Sequence, residues 1–214
     1  MKLNNAHVHS YQSPSYSSSI ALKLAPLPAE SSTKDFSRRS HLSAPSHSMW
    51  KIESGVVRTN TILDDGNILT LGLWGPGDVV GKAFSRVELY EIECLTKVQA
   101  ISLPVEHSLS NSRSIPILQQ SEELSVIRSY NSMDKKLSKF LLWLANKFGH
   151  VVETGNCIDL RLTHQDIADT LCSTRVTVTR LFRQLEERGW IERQSVHKIL
   201  LKEKNSWHYE IFND

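Results

Sequence analysis

Two short helical patterns joined by a three-residue turn constrain this chain most strongly, and they lie in residues 162–188. The first begins at the capping residue Thr163, and its apolar positions are spaced one helical turn apart: Ile167, Ala168 and Leu171. The second runs from Arg175 to Arg188. Four of its residues have the spacing of one buried face: Val178, Leu181, Phe182 and Leu185. Two short helices with so tight a turn predict a helix-turn-helix.

The opposite face of the second helix groups residues that can contact nucleic-acid bases. It consists of Arg175, Val176, Thr179, Arg180 and Arg183, and no acidic residue precedes Glu186 on the helix. Arginine can donate two parallel hydrogen bonds to guanine, and valine and the threonine methyl can contact the thymine methyl. This grouping predicts that the N-terminal half of the helix enters the major groove of DNA. The alternative is an ordinary solvated face of a helical hairpin.

A polar turn between two short runs follows the second helix. Gly189-Trp190-Ile191 closes that helix, and residues 192–201 predict two strands. This addition makes the motif a winged helix-turn-helix. The tip of the wing carries Ser195, His197 and Lys198, which we expect to contact the sugar-phosphate backbone.

Upstream, residues 49–104 alternate short β-like runs with turn signals, which is typical of a small antiparallel roll. Asp64-Asp65-Gly66-Asn67 predicts a hairpin turn, because Gly and Asn tolerate positive φ values. A polar stretch at 108–114 follows.

An apolar stripe then indicates one long helix over residues 115–149. Its members recur at steps of four and three: Val126, Tyr130, Met133, Leu137, Phe140, Leu144 and Phe148. Such a stripe usually packs into a core, but a helix of about 30 residues has more stripe than two small domains can cover. We therefore expect it to pair with its copy in a homodimer, through the first six of these residues.

The two ends of the chain carry less pattern. Residues 1–48 hold 13 serines and four of the seven prolines, with no acidic residue before Glu30, and predict a disordered extension. A Ser-rich leader that is poor in acids also resembles an organelle transit peptide, but arginine occurs there only at Arg38 and Arg39. Residues 205–214 form a short tail.

Composition excludes several classes of protein. The net charge is only +2, so any attraction to a polyanion must come from local clusters of Lys and Arg. Three cysteines lack metal-ligand spacing and are expected to be free thiols in a reducing cytosol: Cys94, Cys157 and Cys172. With no bilayer-length apolar run, no phosphate loop and no paired catalytic carboxylates, we expect a cytoplasmic protein with no membrane partner, no catalytic residue, no cofactor and no metal.

Two segments closely resemble the Crp/Fnr superfamily of transcription regulators, namely IDLRLTHQDIA at 158–168 and STRVTVTRL at 173–181. Within the superfamily they are most similar to cyanobacterial NtcA-like nitrogen regulators. The resemblance covers roughly residues 50–204. It implies an α+β fold with a truncated, cyclic-nucleotide-binding-like β-roll at 49–114, a dimerisation helix at 115–149 and a winged helix-turn-helix at 150–204.

This resemblance also implies a function and a site. A homodimer would bind palindromic double-stranded DNA with GTA and TAC half-sites, its recognition helices about 34 Å apart. Arg175 and Arg180 would contact bases, and Thr163 and Gln165 the backbone. The full set expected to contact DNA is Thr163, Gln165, Thr174, Arg175, Val176, Thr177, Thr179, Arg180, Arg183, His197 and Lys198. RNA polymerase is a further candidate partner, and the location would be the plastid stroma in a plastid-bearing host.

The roll departs from the cyclic-nucleotide-binding pattern. Gly81-Lys82 replaces a Gly-Glu pair for ribose, and Glu88-Leu89 lies where an Arg-Ser pair would hold the phosphate. Since a carboxylate repels a phosphate, we expect no binding of cyclic AMP. The reduced roll favours ligand-independent or partner-regulated action and leaves 2-oxoglutarate open as an effector. An alternative function is a ligand- or partner-binding module whose winged domain contacts another protein.

Overall fold

The structure is a computed structural model, and it describes residues 33–105, 115–195 and 197–202. Strands come first in this part of the chain. They are β1 Thr33–Phe36, β2 His41–Leu42, β3 Ser48–Ser54, β4 Val57–Ile62, β5 Ile68–Trp74, β6 Val79–Val80, β7 Glu91–Cys94 and β8 Val98–Pro104, with a 3-10 turn at Lys82–Phe84. The winged region follows two helices. These later elements are α1 Ile115–Ser129, α2 Met133–Phe148, β9 Gly149–Val152, β10 Gly155–Asp159, α3 His164–Leu171, α4 Arg175–Glu187, β11 Ile191–Arg193 and β12 Lys198–Lys202.

The first eight strands form two antiparallel four-stranded sheets, in the orders β1-β8-β3-β6 and β2-β7-β4-β5. Apolar side chains from both sheets pack into one cluster that includes Trp50, Ile52 and Trp74. This is the predicted roll, and the α+β fold class is confirmed. The hairpin at residues 63–67 is also confirmed, because β4 pairs with β5 and Gly66 there has a φ of +82°.

The start of the roll was predicted wrongly. Residues 33–48 were expected to belong to a disordered extension, yet Thr33–Phe36 pairs with β8 and Leu42 pairs with Ile92. Strand β1 exposes three of its four residues, so it lacks the apolar alternation by which sequence reasoning finds strands. Its order comes from backbone pairing with β8. The remainder of the predicted extension, residues 1–32, lies outside the described residues, as do the 205–214 tail and the polar stretch at 108–114.

The long helix predicted over 115–149 is two helices, with a break at residues 130–132. Helix α1 buries Leu124 and Ile127, whereas α2 buries Leu137, Phe140 and Leu144 among its largest side chains. At 100° per residue, these two faces would be rotated by about 140° in a continuous helix. The break allows each helix to turn its own buried face inward.

The predicted dimerisation stripe is therefore wrong for its second half. Leu137, Phe140 and Leu144 are fully buried inside this chain, in the same cluster as residues of α3 and α4. Met133 is only partly buried against that cluster, Tyr130 lies in the break, and Val126 is exposed.

The C-terminal part forms the predicted winged helix-turn-helix. Its sheet has the order β11-β12-β10-β9, so the wing strands β11 and β12 continue into a hairpin made by β9 and β10. Neither β9 nor β10 was predicted from the sequence. The core of this part extends into the roll through Val56, Leu73 and Leu95. Among the described helices, none combines the length and the apolar character that crossing a bilayer requires.

Candidate nucleic-acid interface

Helix α4 presents a capped, exposed N-terminal half. The hydroxyl of its N-cap Thr174 accepts a hydrogen bond of 3.2 Å from the backbone amide of Thr177. The hydroxyls of these two threonines are 2.9 Å apart. Both were predicted to contact DNA, and both also stabilise the first turn, where the amides would otherwise lack partners.

The predicted base-reading residues of α4 all lie on its solvent-facing side. Arg175, Val176, Thr179, Arg180 and Arg183 are exposed, and Val176 retains 77% of its accessible surface. A single exposed apolar residue is ordinary on a protein surface, but this valine lies on the same exposed helix face as three arginines. The face therefore has a composition suited to contact with another molecule.

The arginines of this face differ in their partners. Within the described part of the chain, no carboxylate lies at ion-pair distance from Arg175 or Arg180, whereas Nε of Arg183 is 2.8 Å from Glu187. Arg175 and Arg180 thus have all their donors available for an external acceptor. Arg183 would have to leave Glu187 before its Nε could bind an external acceptor.

Helix α3 holds the two residues predicted to contact the DNA backbone. Thr163 is its N-cap and forms a capping box with Asp166, whose backbone amide donates to the threonine hydroxyl at 3.1 Å. Gln165 is exposed, and its Nε2 donates to Asp169 at 2.7 Å. The tight turn to α4 is made by Cys172, which adopts a left-handed conformation with a φ of +53°.

His164 joins the two helices, a role that sequence reasoning missed. Its Nδ1 lies 2.8 Å from the hydroxyl of Thr179, and its ring stacks on Phe182 with the ring centroids 4.7 Å apart. Burial lowers the pKa of His164, and the positive charges of Arg193 and Arg175 lower it further. The uncharged imidazole therefore persists to a lower pH than usual. Its contact with Thr179, and the hydrogen bond of 2.8 Å that the Thr179 hydroxyl donates to the carbonyl of Arg175, together fix the rotamer of Thr179.

A buried ion network attaches α3 to the roll. Arg58 from β4 lies 2.6 Å from Glu93 and 3.1 Å from Asp169, and Arg39 lies 2.9 Å from Glu93 and 2.7 Å from Asp166. Arg58 and Asp166 retain only 7% and 4% of their side-chain exposure. Because these charges compensate one another in a poorly hydrated place, the network fixes the position of the helix-turn-helix against the roll.

Two carboxyl groups of this network, those of Asp166 and Glu93, are held in their charged form. Burial alone would raise the pKa of Asp166, but hydrogen bonds from Arg39 and Thr163 outweigh it, and the pKa lies below its usual value. Glu93 behaves in the same way, because burial is outweighed by Arg39 and Arg58. Hydrogen bonding to Asp166 raises the pKa of Arg39. Asp166 and Asp169 had been assigned no role, since their partners are over a hundred residues away in sequence.

The wing residues predicted to contact DNA are placed at its tip or on its second strand. His197 is exposed, and its backbone amide donates to the hydroxyl of Ser195 at 3.2 Å. Lys198 is also exposed, with Nζ 3.6 Å from Asp159. Exposed pairs of this kind are weak and exchange readily, so Lys198 can serve an external phosphate. Within the described residues, no three His, Cys, Asp or Glu side chains converge as metal ligands would.

Comparison with known proteins gives consistent matches. Residues 135–205 match the model of the Crp-like helix-turn-helix domain. The regulatory protein CysR of Synechococcus elongatus is 39% identical over 160 residues, which cover 73% of this chain and 78% of that protein. The global nitrogen regulator of Nostoc sp. is 30% identical over 171 residues, covering 72% and 75%.

Solved structures agree with the fold. FixK2 from Bradyrhizobium japonicum superimposes with a TM-score of 0.71 at 18% identity, covering 84% of this chain and 96% of that one. A CRP-family transcriptional regulator from Thermus thermophilus gives a TM-score of 0.69 at 20% identity, covering 83% and 96%. Together with the sequence relatives and the winged helix-turn-helix, these matches show that the chain belongs to the Crp/Fnr family of DNA-binding transcription regulators.

Proposed function

We propose that this regulator binds palindromic double-stranded DNA as a homodimer and reads each half-site with the N-terminal half of α4. The observation that carries the proposal is the exposed pair Arg175 and Arg180, which have no carboxylate partner in the described part of the chain. At the junction of the roll and helix α3, by contrast, Arg39 and Arg58 are each held by carboxylates. Free guanidinium groups at the start of a recognition helix suit bidentate contact with guanine.

The remaining residues receive roles from their position and chemistry. Val176 and the methyl of Thr179 offer apolar contact to thymine. Thr163, Gln165, Thr174 and Thr177 lie at helix N-termini, where hydroxyls, amides and the helix dipole favour a phosphate. Arg183, His197 and Lys198 add exposed donors for the backbone.

Selection of duplexes from a random pool tests this function, at a stated salt concentration because phosphate contacts make affinity depend on salt. We expect a palindrome with GTA and TAC halves whose centres are separated by about one helical turn. The double variant with Arg175→Ala and Arg180→Ala is put through the same selection as the control. Recovery of the same sequences by that variant, or failure of the native protein to enrich any, would favour a winged domain that contacts another protein.

Helix α1, rather than α2, is the surface we assign to the dimer. Leu118 and Val126 are its exposed large apolar residues, with 65% and 58% of their surface accessible. They are eight residues apart and so lie on the same side of the helix. The opposite side packs on the chain itself through Leu124 and Ile127. Pairing of two α1 helices would cover the apolar side that the chain leaves exposed.

Replacing Leu118 and Val126 together with lysine should give monomers in sedimentation, because two charges would lie in the seam. Thermal unfolding should be measured alongside, since the variant must remain folded. Leu89→Lys is the control, because Leu89 is also an exposed apolar residue, with 55% of its surface accessible, but lies on the roll. If the double variant sediments as the native protein does, a surface other than α1 joins the subunits.

A further inference from the structure

A cavity of about 420 Å³ opens between the roll, the start of α3 and the wing. The roll contributes Arg38 and Arg39 from the turn after β1, the segment before α3 contributes Arg161 and Thr163, and the wing strand β11 contributes Arg193. Its lining contains four arginines and no carboxylate. Arginines from three separate segments thus line the cavity, together with the apolar side chains of Leu162, Phe182 and Ile199.

Two of these arginines are already neutralised. Arg39 is paired with Glu93 and Asp166, and Nε and Nη2 of Arg193 bind both carboxylate oxygens of Glu186 at 2.6 and 2.7 Å. The charges of these two arginines are therefore balanced without a ligand. They also hold the two side chains in fixed positions at the wall of the cavity.

Arg38 and Arg161 are not neutralised. Nε of Arg38 donates to the carbonyl of Leu95 at 3.0 Å, and among the described residues its terminal nitrogens and the whole guanidinium of Arg161 have no acceptor. Burial lowers the pKa of Arg38, and the like charges of Arg39 and Arg161 lower it further, against a smaller opposing effect of the Asp166 and Glu93 carboxylates. Arg38 and the exposed Arg161 therefore line one space with guanidinium nitrogens that lack an acceptor among the described residues, and the charge of Arg161 disfavours the charged form of Arg38.

The backbone at this place is also specialised. Arg39 has a φ of +67°, a left-handed backbone conformation that residues other than glycine seldom adopt. Its amide donates to the carbonyl of Cys94 at 2.7 Å, which stabilises the turn in this form. The turn directs Arg38 and Arg39 together to the junction with α3.

We propose that this cavity is a binding site for a multiply charged oxyanion of the phosphate type, held between Arg38 of the roll and Arg161 of the winged domain. Such a ligand would replace the repulsion between two guanidinium groups with charge-assisted hydrogen bonds to both. It would bridge the two domains at the point where the ion network already joins them. The anion can be a free small molecule or a phosphate of bound DNA, and the chemistry of recognition is the same.

Calorimetric titration of the full-length protein with inorganic pyrophosphate, at constant ionic strength and without DNA, tests the site. We expect saturable binding, weakened about tenfold or more by Arg38→Gln and by Arg161→Gln, since each removes a charge-assisted contact. Arg86→Gln is the control, because Arg86 is an exposed arginine of the roll that does not line the cavity. Thermal unfolding of each variant shows that it is folded.

Fluorescence anisotropy with the selected duplex identifies the source of the anion, and this arm rests on the proposed DNA-binding function. If the occupant is a free anion, Arg38→Gln and Arg161→Gln bind DNA as the native protein does. Pyrophosphate then changes the DNA affinity of the native protein but not that of either variant. If the occupant is a DNA phosphate, both variants bind all duplexes more weakly. The slope of the logarithm of their affinity against the logarithm of the salt concentration then becomes shallower by about one. The proposal is overturned if the native protein binds no pyrophosphate and both variants retain native affinity for DNA.

Discussion

The ion network at the junction of roll and α3 and the face of α4 use the same side chain in opposite ways. At the junction, Arg58 is 7% exposed and surrounded by Glu93, Asp166 and Asp169, all within 3.2 Å. On α4, Arg175 and Arg180 are exposed and have no carboxylate at ion-pair distance in the described part of the chain. The first arrangement stabilises one geometry of the two domains, and the second leaves charge available for a polyanion. The partners of each arginine, rather than its presence, separate the structural from the recognition role.

The largest effect should follow removal of Arg58. In Arg58→Met the carboxylates of Glu93, Asp166 and Asp169 lose a buried partner, so the free energy of unfolding should fall by about 3–5 kcal/mol. Urea unfolding at neutral pH measures it. Loss of less than about 1 kcal/mol would mean that the network contributes no more than an exposed pair.

Acid should weaken the same junction. The pKa values of Asp166 and Glu93 are lowered in the folded protein, so their contribution to stability is complete above the unfolded values, near 4, and is lost as the pH falls below them. Unfolding free energy measured from pH 6 to pH 3 should therefore decline steeply at the acid end. In Arg58→Met the decline should be shallower, because one cause of the lowered pKa values is gone; an identical decline would contradict the assignment.

The smallest effect is expected on α4. Arg183 and Glu187 are four residues apart and both exposed, with 80% and 59% of their side-chain surface accessible. Arg183→Ala should change the free energy of unfolding by less than about 0.5 kcal/mol, since water screens such a pair. The same urea experiment provides the comparison with Arg58→Met. A loss as large as that of Arg58→Met would remove the distinction between the two regions.

The helix-turn-helix was predictable because its signals are local. The cap Thr163, the turn at 172–174 and the apolar spacing of Ile167, Leu171 and Val178 predict two helices, and α3 and α4 begin directly after that cap and that turn. The wing was predictable for the same reason, as two short strands around a polar turn. Interactions within one or two helical turns are readable from sequence.

The break between α1 and α2 was missed although a signal existed. The stripe from Val126 to Leu144 continues across residues 130–132 without a change of spacing, and it predicted one helix. Ser132 is the N-cap of α2 and Asp134 lies in its first turn, which are the marks of a helix start. Periodicity alone does not show whether one face or two are being buried.

The junction could not be predicted from local pattern. Arg39 and Asp166 are 127 residues apart, and Arg58 and Asp169 are 111 apart. Nothing near any of them in sequence marks a charge that will be buried. Strand β1 was missed for a similar reason, because its order depends on pairing with β8 rather than on its own apolar residues.

The most direct measurement of the central claim is the affinity of Arg175→Ala and Arg180→Ala for the selected palindrome, by fluorescence anisotropy at fixed salt. Each variant should lose about 1–3 kcal/mol of binding free energy and the base preference at one position of each half-site, because a bidentate contact to guanine is removed. Arg86→Ala, on the roll, should bind as the native protein does. Native affinity and native base preference in both recognition-helix variants would contradict the account.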